Sequence, residues 1–163
     1  MKSYIYKIKK LSEKKDFEIS VAESCTGGML SKCLTSIDGS SKYFNGSVIS
    51  YSNYFKNKLL NVPKNIIKQH GAVSHQTALC MVKGLGKKCN SEILLSVTGV
   101  AGPKGGSTKT PIGCVYFGIG TKIKSKYRFK TEKKLFKQNS RNKIQEESTK
   151  FALKIIIQEI KKI

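Results

Sequence analysis

The sequence predicts an α/β fold, a three-layer α/β/α sandwich with a mixed, mostly parallel sheet. Two observations predict it. Segments with helical periodicity alternate with short apolar segments along most of the 163 residues, and such alternation places helices on both faces of a sheet. The last two strand-like segments follow each other directly, so we expect that pair to be antiparallel. At this length a single domain over residues 1–163 is expected.

The first part of the chain begins with a helix. Residues 3–15 carry an apolar stripe at helical spacing, and 17–22 form a short, partly β-branched strand. A glycine-rich turn then leads into a helix over 29–35. The turn residues 38–41 precede a second strand, predicted over 46–52.

The middle of the chain is predicted to hold three helices and a strand. A helix over 53–60 comes first. Pro63 opens a second, short helix, because proline is tolerated in a first helical turn. Ser74 caps a third helix, over 75–89, with its hydroxyl. An apolar strand follows over 93–98.

The end of the chain supplies the antiparallel part of the sheet. A loop rich in Gly, Pro, Ser and Thr covers 99–111. It leads into a strand over 112–121, and 123–131 is predicted to pair with that strand. The last element is an apolar-striped helix over 140–160.

The charge pattern leaves two interpretations open. The formal net charge is +21, yet only two of the 31 basic residues are arginine, Arg128 and Arg141. Base reading and bidentate phosphate binding favour arginine, so nucleic acid is not the favoured partner. The lysines either form a solvated surface that reflects coding bias or create a basic field that attracts anionic substrates.

Several protein classes are excluded by the sequence. No apolar run approaches about 18 residues, so no membrane span is expected, and the charged start lacks the apolar stretch of a signal peptide. We therefore expect a cytoplasmic protein. Five cysteines without a C-x-x-C pair, and two histidines five residues apart, predict free thiols and no metal site or cofactor.

Two loops that follow strands are candidates for the site. The turn at 23–28 directs backbone N–H groups at one point, so Ser24 is either a nucleophile or merely a helix cap. The glycine-rich loop 97–106 should converge on the same edge of the sheet. Lys56 is a candidate base for Ser24, since burial lowers a lysine pKa, but it is also one of many surface-type lysines.

At this point the residues resemble a known family, the C-terminal domain of the competence/damage-inducible protein CinA, which also occurs alone as nicotinamide-nucleotide amidase. The resemblance covers roughly residues 5–160, and the chain looks like the form of this domain that occurs alone. The matching segments, in order, are 22–28 (A-E-S-C-T-G-G), 39–41, 51–53 with Lys56, 70–74, 98–103 and 111–113.

The resemblance implies hydrolysis of the carboxamide of nicotinamide mononucleotide in pyridine-nucleotide salvage, without a metal or other cofactor. By motif, Ser24 would be the nucleophile and Lys56 its base, with Tyr51 and Thr98 supporting proton transfer and orientation. It also implies a homodimer. The substrate-binding residues that it implies are Cys25, Thr26, Gly27, Gly28, Gly99, Ala101, Gly102 and Arg141.

The chain departs from the family near its last helix. The family commonly shows G-D-R and a second Arg four residues later, whereas this chain has Asn139, Ser140, Arg141 and then Gln145. This departure leaves three alternatives open: the amidase, a hydrolase with a shifted substrate, and a non-catalytic nucleotide-binding or DNA-uptake-associated module.

Overall fold

A computed structural model describes residues 1–137 and 140–163, so Asn139 lies outside the described residues. The predicted alternation of helices and strands is confirmed. The elements are α1 (Lys2–Ser12), β1 (Ile19–Glu23), α2 (Met29–Leu34), a 3₁₀ turn (Ser40–Lys42), β2 (Phe44–Ile49), α3 (Asn53–Leu60), α4 (Lys64–His70), α5 (His75–Gly86), β3 (Ile93–Gly99), β4 (Cys114–Ile123), β5 (Lys126–Leu135) and α6 (Arg141–Ile160).

The five strands form one mixed sheet in the order β2-β1-β3-β4-β5. Strand β1 pairs in parallel with β2 and with β3. Strand β4 is antiparallel to both of its neighbours. Four of the five strands therefore point in the same direction and β4 alone is reversed. The predicted mixed sheet and the antiparallel last pair are both confirmed.

Helices cover both faces of the sheet, as the three-layer prediction requires. Helices α1, α2 and α6 contact one another on one face, while α3 and α4 contact α5 on the other. The strand residues divide between two apolar clusters: Val21 faces the first and Ala22 faces the second. This alternation follows from the two-residue period of a strand whose two faces are both covered. Among the described residues, no helix combines the length and apolarity needed to cross a bilayer.

Two glycines let α5 approach its neighbours closely. A Cβ on Gly84 would lie 1.8 Å from the Leu60 carbonyl oxygen at the end of α3. A Cβ on Gly118 in β4 would lie 2.3 Å from the Ala78 carbonyl oxygen of α5. Any side chain at either position would push the elements apart. The absence of side chains at Gly84 and Gly118 thus sets the position of α5 and, through Leu60, that of α3.

The order of the strands places a crevice beside β1. After β1 the chain crosses to β2 on one side, and after β2 it returns to β3 on the other side. In an open α/β sheet, ligands bind at the carboxyl ends of strands where the order reverses in this way. The carboxyl ends of β1 and β3 are followed by Ser24 and Val100, so the fold brings the two predicted loops together.

Strand β2 ends earlier than the sequence predicts. The prediction of 46–52 is wrong at its end, because the ladder with β1 stops at Ile49. Ser52 instead caps α3, its hydroxyl accepting the amide of Phe55 at 3.1 Å. The carbonyl groups of Ser50 and Tyr51 are consequently free of the sheet and available to a side chain.

Candidate active site

Ser24 lies at the floor of a cavity beside the carboxyl ends of β1 and β3. Its amide donates to the Val97 carbonyl at 3.0 Å, and its own carbonyl accepts the Gly27 amide at 3.1 Å. The first bond holds the β1–α2 turn (residues 24–28) against β3, and the second closes the turn on itself. The cavity has a volume of about 220 Å³. It is lined by Ser24, Cys25, Tyr51, Asn53, Lys56, Ala72, Val73, Thr98, Gly99, Ala101 and Arg141.

Lys56 reaches Ser24 from α3, which lies on the face of the sheet opposite to α2. It lies in the first turn of α3 and is only 2% exposed. Its Nζ lies 2.9 Å from Ser24 Oγ, 3.0 Å from the Ser50 carbonyl oxygen and 3.1 Å from the Tyr51 carbonyl oxygen. The early end of β2 thus supplies two of the three groups around the lysine nitrogen.

The surroundings of Lys56 disfavour its charged form. Burial lowers the pKa of Lys56 from 10.5 to about 8. Among the described residues, no carboxylate lies within 4 Å of Nζ to stabilise the ammonium form. A neutral amine has two hydrogens and one lone pair. In this neutral form the two carbonyl oxygens, which can only accept, take the two hydrogens, and the lone pair is left for the Ser24 hydroxyl.

Cys25 follows Ser24 and also lines the cavity. Burial raises the pKa of the Cys25 thiol to about 12. Because the thiolate is the nucleophilic form of cysteine, Cys25 is poorly suited to attack at neutral pH. Ser24, with a base in contact, is the better nucleophile of the pair.

Tyr51 and Thr98 are close to the Ser24–Lys56 pair but contact other groups. The Tyr51 side chain is 59% exposed, and it is the carbonyl of Tyr51, not its hydroxyl, that contacts Lys56. The Thr98 hydroxyl donates to the Ala72 carbonyl at 2.8 Å, which ties the end of β3 to the loop before α5. Both residues line the cavity, so the geometry supports orienting roles rather than direct proton transfer between Lys56 and their hydroxyls.

Arg141 projects from the first turn of α6 to the rim of the cavity. Its guanidinium donates to the Gly102 carbonyl at 2.9 Å and to the Tyr51 hydroxyl at 2.8 Å. Both acceptors are neutral, and in the part of the chain that the structure describes no carboxylate forms an ion pair with Arg141. The positive charge of Arg141 is therefore held in place without being neutralised.

The N-terminus of α2 is already occupied by a carboxylate of the chain. Glu23 is fully buried and accepts the amides of Gly28, Leu30 and Ser31 at 3.0, 3.2 and 2.8 Å. The expectation that the turn at 23–28 directs its N–H groups at one point for a ligand is therefore wrong for Gly28, whose amide donates to Glu23, and for Gly27, whose amide donates to the Ser24 carbonyl. The amides left over in the turn are those of Cys25 and Thr26.

Comparison with known proteins decides the family. The sequence profile of the CinA C-terminal domain matches residues 2–160. The chain belongs to the CinA C-terminal domain family. A CinA-like protein of Pseudothermotoga lettingae is 42% identical over 149 residues, which is 91% of this chain and 35% of that protein. A CinA-like protein of Dictyoglomus turgidum is 49% identical over 114 residues, 70% of this chain and 28% of that protein.

Solved structures of this family share the fold. The crystal structure of a competence/damage inducible protein from Agrobacterium tumefaciens has a TM-score of 0.89 and 30% identity, covering 96% of this chain and 93% of that one. A CinA superfamily protein of Klebsiella pneumoniae has a TM-score of 0.89 at 22% identity, covering 99% and 98%. The chain spans about a third of the length of the curated relatives that it matches.

Most residues predicted for the CinA-family site meet at one place. The cavity brings together Ser24, Cys25, Lys56, Tyr51, Thr98, Gly99, Ala101 and Arg141. Gly102 contributes the carbonyl that holds Arg141. Thr26, Gly27 and Gly28 do not line the cavity in the described structure; the Gly27 amide is held by Ser24 and the Gly28 amide by Glu23. The amides of both glycines are thus taken by other groups of the chain, and substrate contact by Thr26, Gly27 and Gly28 stays a prediction.

Two contributors to the CinA-family site were missed by sequence reasoning. The first is Glu23, whose position just before a helix N-terminus is a usable signal, since that end favours negative charge. The second is Gln145, whose Nε2 donates to the Cys25 carbonyl at 2.7 Å. Its spacing of four residues from Arg141 places both side chains on one face of α6, although nothing local indicates which partner Gln145 finds.

Proposed function

We propose that this chain hydrolyses the carboxamide of nicotinamide mononucleotide, giving nicotinate mononucleotide and ammonia through a Ser-Lys acyl-enzyme mechanism. The single observation that carries the proposal is the 2.9 Å contact between Ser24 Oγ and a buried Lys56 whose pKa is lowered to about 8. A serine in contact with a neutral amine is an activated nucleophile. The resemblance to nicotinamide-nucleotide amidases supplies the substrate.

Acylation begins with proton transfer to Lys56. At neutral pH about a tenth of the molecules hold Lys56 as the free amine, given its pKa. Its lone pair accepts the Ser24 proton while Ser24 Oγ forms a bond to the carboxamide carbon. The carbonyl π electrons move to oxygen and produce a tetrahedral oxyanion. The Ser50 and Tyr51 carbonyls accept hydrogen bonds from the lysinium and hold it in place.

The oxyanion needs donors that the rest of the fold has not used. In the described chain, the amides of Cys25 and Thr26 have no backbone carbonyl partner. They belong to the turn that carries Ser24, so they are close to the developing charge. Fixed amide donors of this kind stabilise an oxyanion more strongly than they stabilise the ground-state carbonyl.

Collapse of the intermediate releases ammonia. The bond between carbon and nitrogen breaks as Lys56 returns its proton to the leaving nitrogen, leaving a nicotinoyl ester on Ser24. Water then enters, Lys56 accepts its proton, and the hydroxide equivalent attacks the ester carbon. The ester bond breaks, Ser24 regains a proton from Lys56, and the acid product departs. One base thus serves both half-reactions.

Arg141 suits the anionic part of the substrate. Its guanidinium is at the rim of the cavity, with an unneutralised charge held by Gly102 and Tyr51. Arginine binds phosphate in a bidentate manner. A mononucleotide whose ring enters the cavity would direct its phosphate outward, where Arg141 lies.

The test is ammonia release from nicotinamide mononucleotide by the purified protein and two variants. Ser24→Ala and Lys56→Met should each lower kcat by about 10³-fold or more, because loss of either member disables the pair. Ser47→Ala and Lys58→Met are matched controls, since both residues are exposed on neighbouring elements. Circular dichroism and thermal unfolding would establish that all four variants fold.

The outcomes separate the alternatives. Release that vanishes in the first two variants and persists in the controls supports the amidase with Ser24 as nucleophile. Activity that survives Ser24→Ala would contradict the mechanism. A folded wild-type protein that releases no ammonia between about pH 7 and 9 would contradict the substrate.

A nucleic-acid-binding role is a second candidate, favoured by the net charge of +21. A protein that neutralises several phosphates binds DNA with an affinity that falls steeply as salt rises. Measured binding to duplex or single-stranded DNA with such a slope, unaffected by Ser24→Ala, would support this role. The absence of binding at low salt would exclude it.

A further inference from the structure

A side chain of α6 contacts the turn that carries Ser24. The Gln145 Nε2 donates to the Cys25 carbonyl at 2.7 Å, joining residues that are 120 positions apart in the chain. Gln145 is not among the described residues that line the cavity. It therefore contacts the turn on the side away from the cavity, where α6 packs against the sheet.

This contact determines where the next amide points. In a trans peptide the carbonyl and the following N–H lie in one plane and point in opposite directions. With the Cys25 carbonyl directed at α6, the Thr26 N–H is directed away from α6. Lys56 approaches Ser24 from α3, on the opposite face of the sheet. The Thr26 amide, one of the two free amides of the turn, therefore points towards the face of the sheet from which Lys56 approaches Ser24, although Thr26 is not among the described residues that line the cavity.

The turn has few other restraints on this peptide. The Gly27 amide bonds to the Ser24 carbonyl, which closes the turn, but this bond does not involve the Cys25 carbonyl or the Thr26 amide. The Cys25 carbonyl accepts no backbone hydrogen bond within the described ranges. A buried carbonyl without a partner would reorient to find one.

We infer that Gln145 is a positioning residue that orients the oxyanion donors of the β1–α2 turn through its hydrogen bond to the Cys25 carbonyl. This inference rests on the proposed function, because it assigns Gln145 to the same Ser24 chemistry. Gln145 does not touch the substrate. It holds the peptide whose N–H must be in place before the tetrahedral oxyanion forms, and pre-set donors are the ones that lower the barrier.

Three variants test the role. Gln145→Met keeps an unbranched side chain of similar length and removes the donor. Gln145→Arg restores a donor, because the arginine Nε–H is at the same position along the side chain as the Gln145 Nε2. Gln158→Met is the matched control, since Gln158 is exposed in the same helix and belongs to no part of the site.

Steady-state ammonia release should separate positioning from packing. In Gln145→Met we expect kcat to fall about 10- to 100-fold, the range typical of residues that orient a reacting group. KM should stay within about twofold, since ground-state contacts are unchanged, and the apparent pKa of the profile should not move because the groups around Lys56 are intact. Gln145→Arg should recover most of kcat, and Gln158→Met should match the wild type.

A second measurement does not depend on the substrate. A fluorophosphonate phosphonylates an activated serine: Ser24 Oγ forms a bond to phosphorus, the P–F bond breaks and fluoride leaves. Negative charge develops on the phosphoryl oxygen during this attack, so the rate of Ser24 labelling reports on the same oxyanion donors. Slower labelling in Gln145→Met, with recovery in Gln145→Arg, supports the inference even if nicotinamide mononucleotide is not turned over. Equal labelling and equal kcat in wild type and Gln145→Met would overturn the inference while the amidase stands. A wild-type protein that neither labels nor releases ammonia would overturn both.

Discussion

Lys56 shows how a single residue trades stability for reactivity. Its nitrogen is buried, its partners are two carbonyl oxygens and a hydroxyl, and burial lowers its pKa to about 8. A lysine that is hard to protonate is a useful base near neutral pH. The same burial makes the charged form of Lys56 unfavourable in the folded state. One measurement tests the reactivity of Lys56, and a second tests its effect on stability.

The first measurement is the pH profile of kcat/KM between about pH 7 and 10. Because only the free amine accepts the Ser24 proton, the rate should rise about tenfold in all from pH 7 to a plateau above about pH 9, and reach half of its maximum near pH 8. A rate independent of pH over this range, or one that still rises towards pH 10.5, would show that a buried neutral Lys56 is not the base.

The second measurement is the free energy of unfolding of the wild type and of Lys56→Met as a function of pH. The pKa of Lys56 is lower in the folded state than in the unfolded state, so between about pH 8 and 10.5 the unfolded chain binds the extra proton. Wild-type stability must therefore rise with pH across that window relative to Lys56→Met. Compared with pH 7, the free energy of unfolding of the wild type at pH 10 should rise by roughly 2 to 3 kcal/mol relative to that of Lys56→Met.

The exposed Lys58→Met on the same helix is the control for this shift. It removes a lysine from an exposed position, so a pH-dependent gain shared by both variants would contradict the assignment of the effect to Lys56. A difference for Lys56→Met that stays constant with pH would mean that Lys56 titrates alike in both states.

At the scale of elements, the site depends on how closely α3 and α5 pack. Helix α3 carries Lys56 near its start and ends at Leu60, whose carbonyl oxygen would lie 1.8 Å from a Cβ on Gly84. The helix that carries Lys56, the proposed base, is thus positioned by a glycine outside the cavity. Helix α6 has the corresponding role on the other face, since it presents Arg141 and Gln145 to the cavity rim and to the turn.

Gly84→Ala should therefore destabilise the protein, although alanine is the better helix former by about 1 kcal/mol. The contact with the Leu60 backbone cannot be relieved by a rotamer change, and forced overpacking of this kind costs about 1 to 3 kcal/mol. Urea denaturation would measure the loss. Displacement of α3 should also move Lys56 from Ser24 and lower kcat.

Gly46→Ala is the matched control for Gly84→Ala. A Cβ on Gly46 in β2 meets nothing within 4 Å, so its effect on the free energy of unfolding should be within about 0.5 kcal/mol. Equal effects of the two alanines would contradict the close-packing explanation.

At the scale of the whole molecule, two properties bear on function. The order of the strands opens the crevice between the ends of β1 and β3, where the site lies. The net charge of +21 gives the molecule as a whole a positive field. A field of one sign raises the encounter rate of an oppositely charged ligand and is screened by salt.

We expect kcat/KM for nicotinamide mononucleotide to fall several-fold as sodium chloride rises from about 20 to about 300 mM. The loss should appear mainly in KM, because the buried Ser24–Lys56 pair is shielded from salt. The riboside that lacks the phosphate is the control substrate. An identical salt dependence for the two compounds would show that the basic field does not act on the phosphate.

Much of the local structure could be predicted from the sequence. Periodicity located α3 at its observed bounds, and Ser74 was identified as the cap of α5, where its hydroxyl accepts the Thr77 amide. Helix periodicity and capping involve residues a few positions apart, so their physical causes are contained in short segments. The glycine-rich turn after β1 was found for the same reason.

The sequence by itself determined the alternation of helix and strand, the caps and the turn that carries Ser24. The sequence also offered Lys56 as one possible base for Ser24, but only the tertiary structure decided that contact and the partners of Arg141 and Gln145. Lys56 meets Ser24 across 32 positions, Arg141 meets Tyr51 across 90 and Gln145 meets Cys25 across 120. The tertiary structure also decided that amides at the start of α2 donate to Glu23. It decided as well that β2 ends at Ile49, so that the Ser50 and Tyr51 carbonyls accept hydrogen bonds from Lys56. Such contacts follow from how layers pack over the sheet, and packing distances depend on distant residues such as Gly84 and Gly118 rather than on any local pattern.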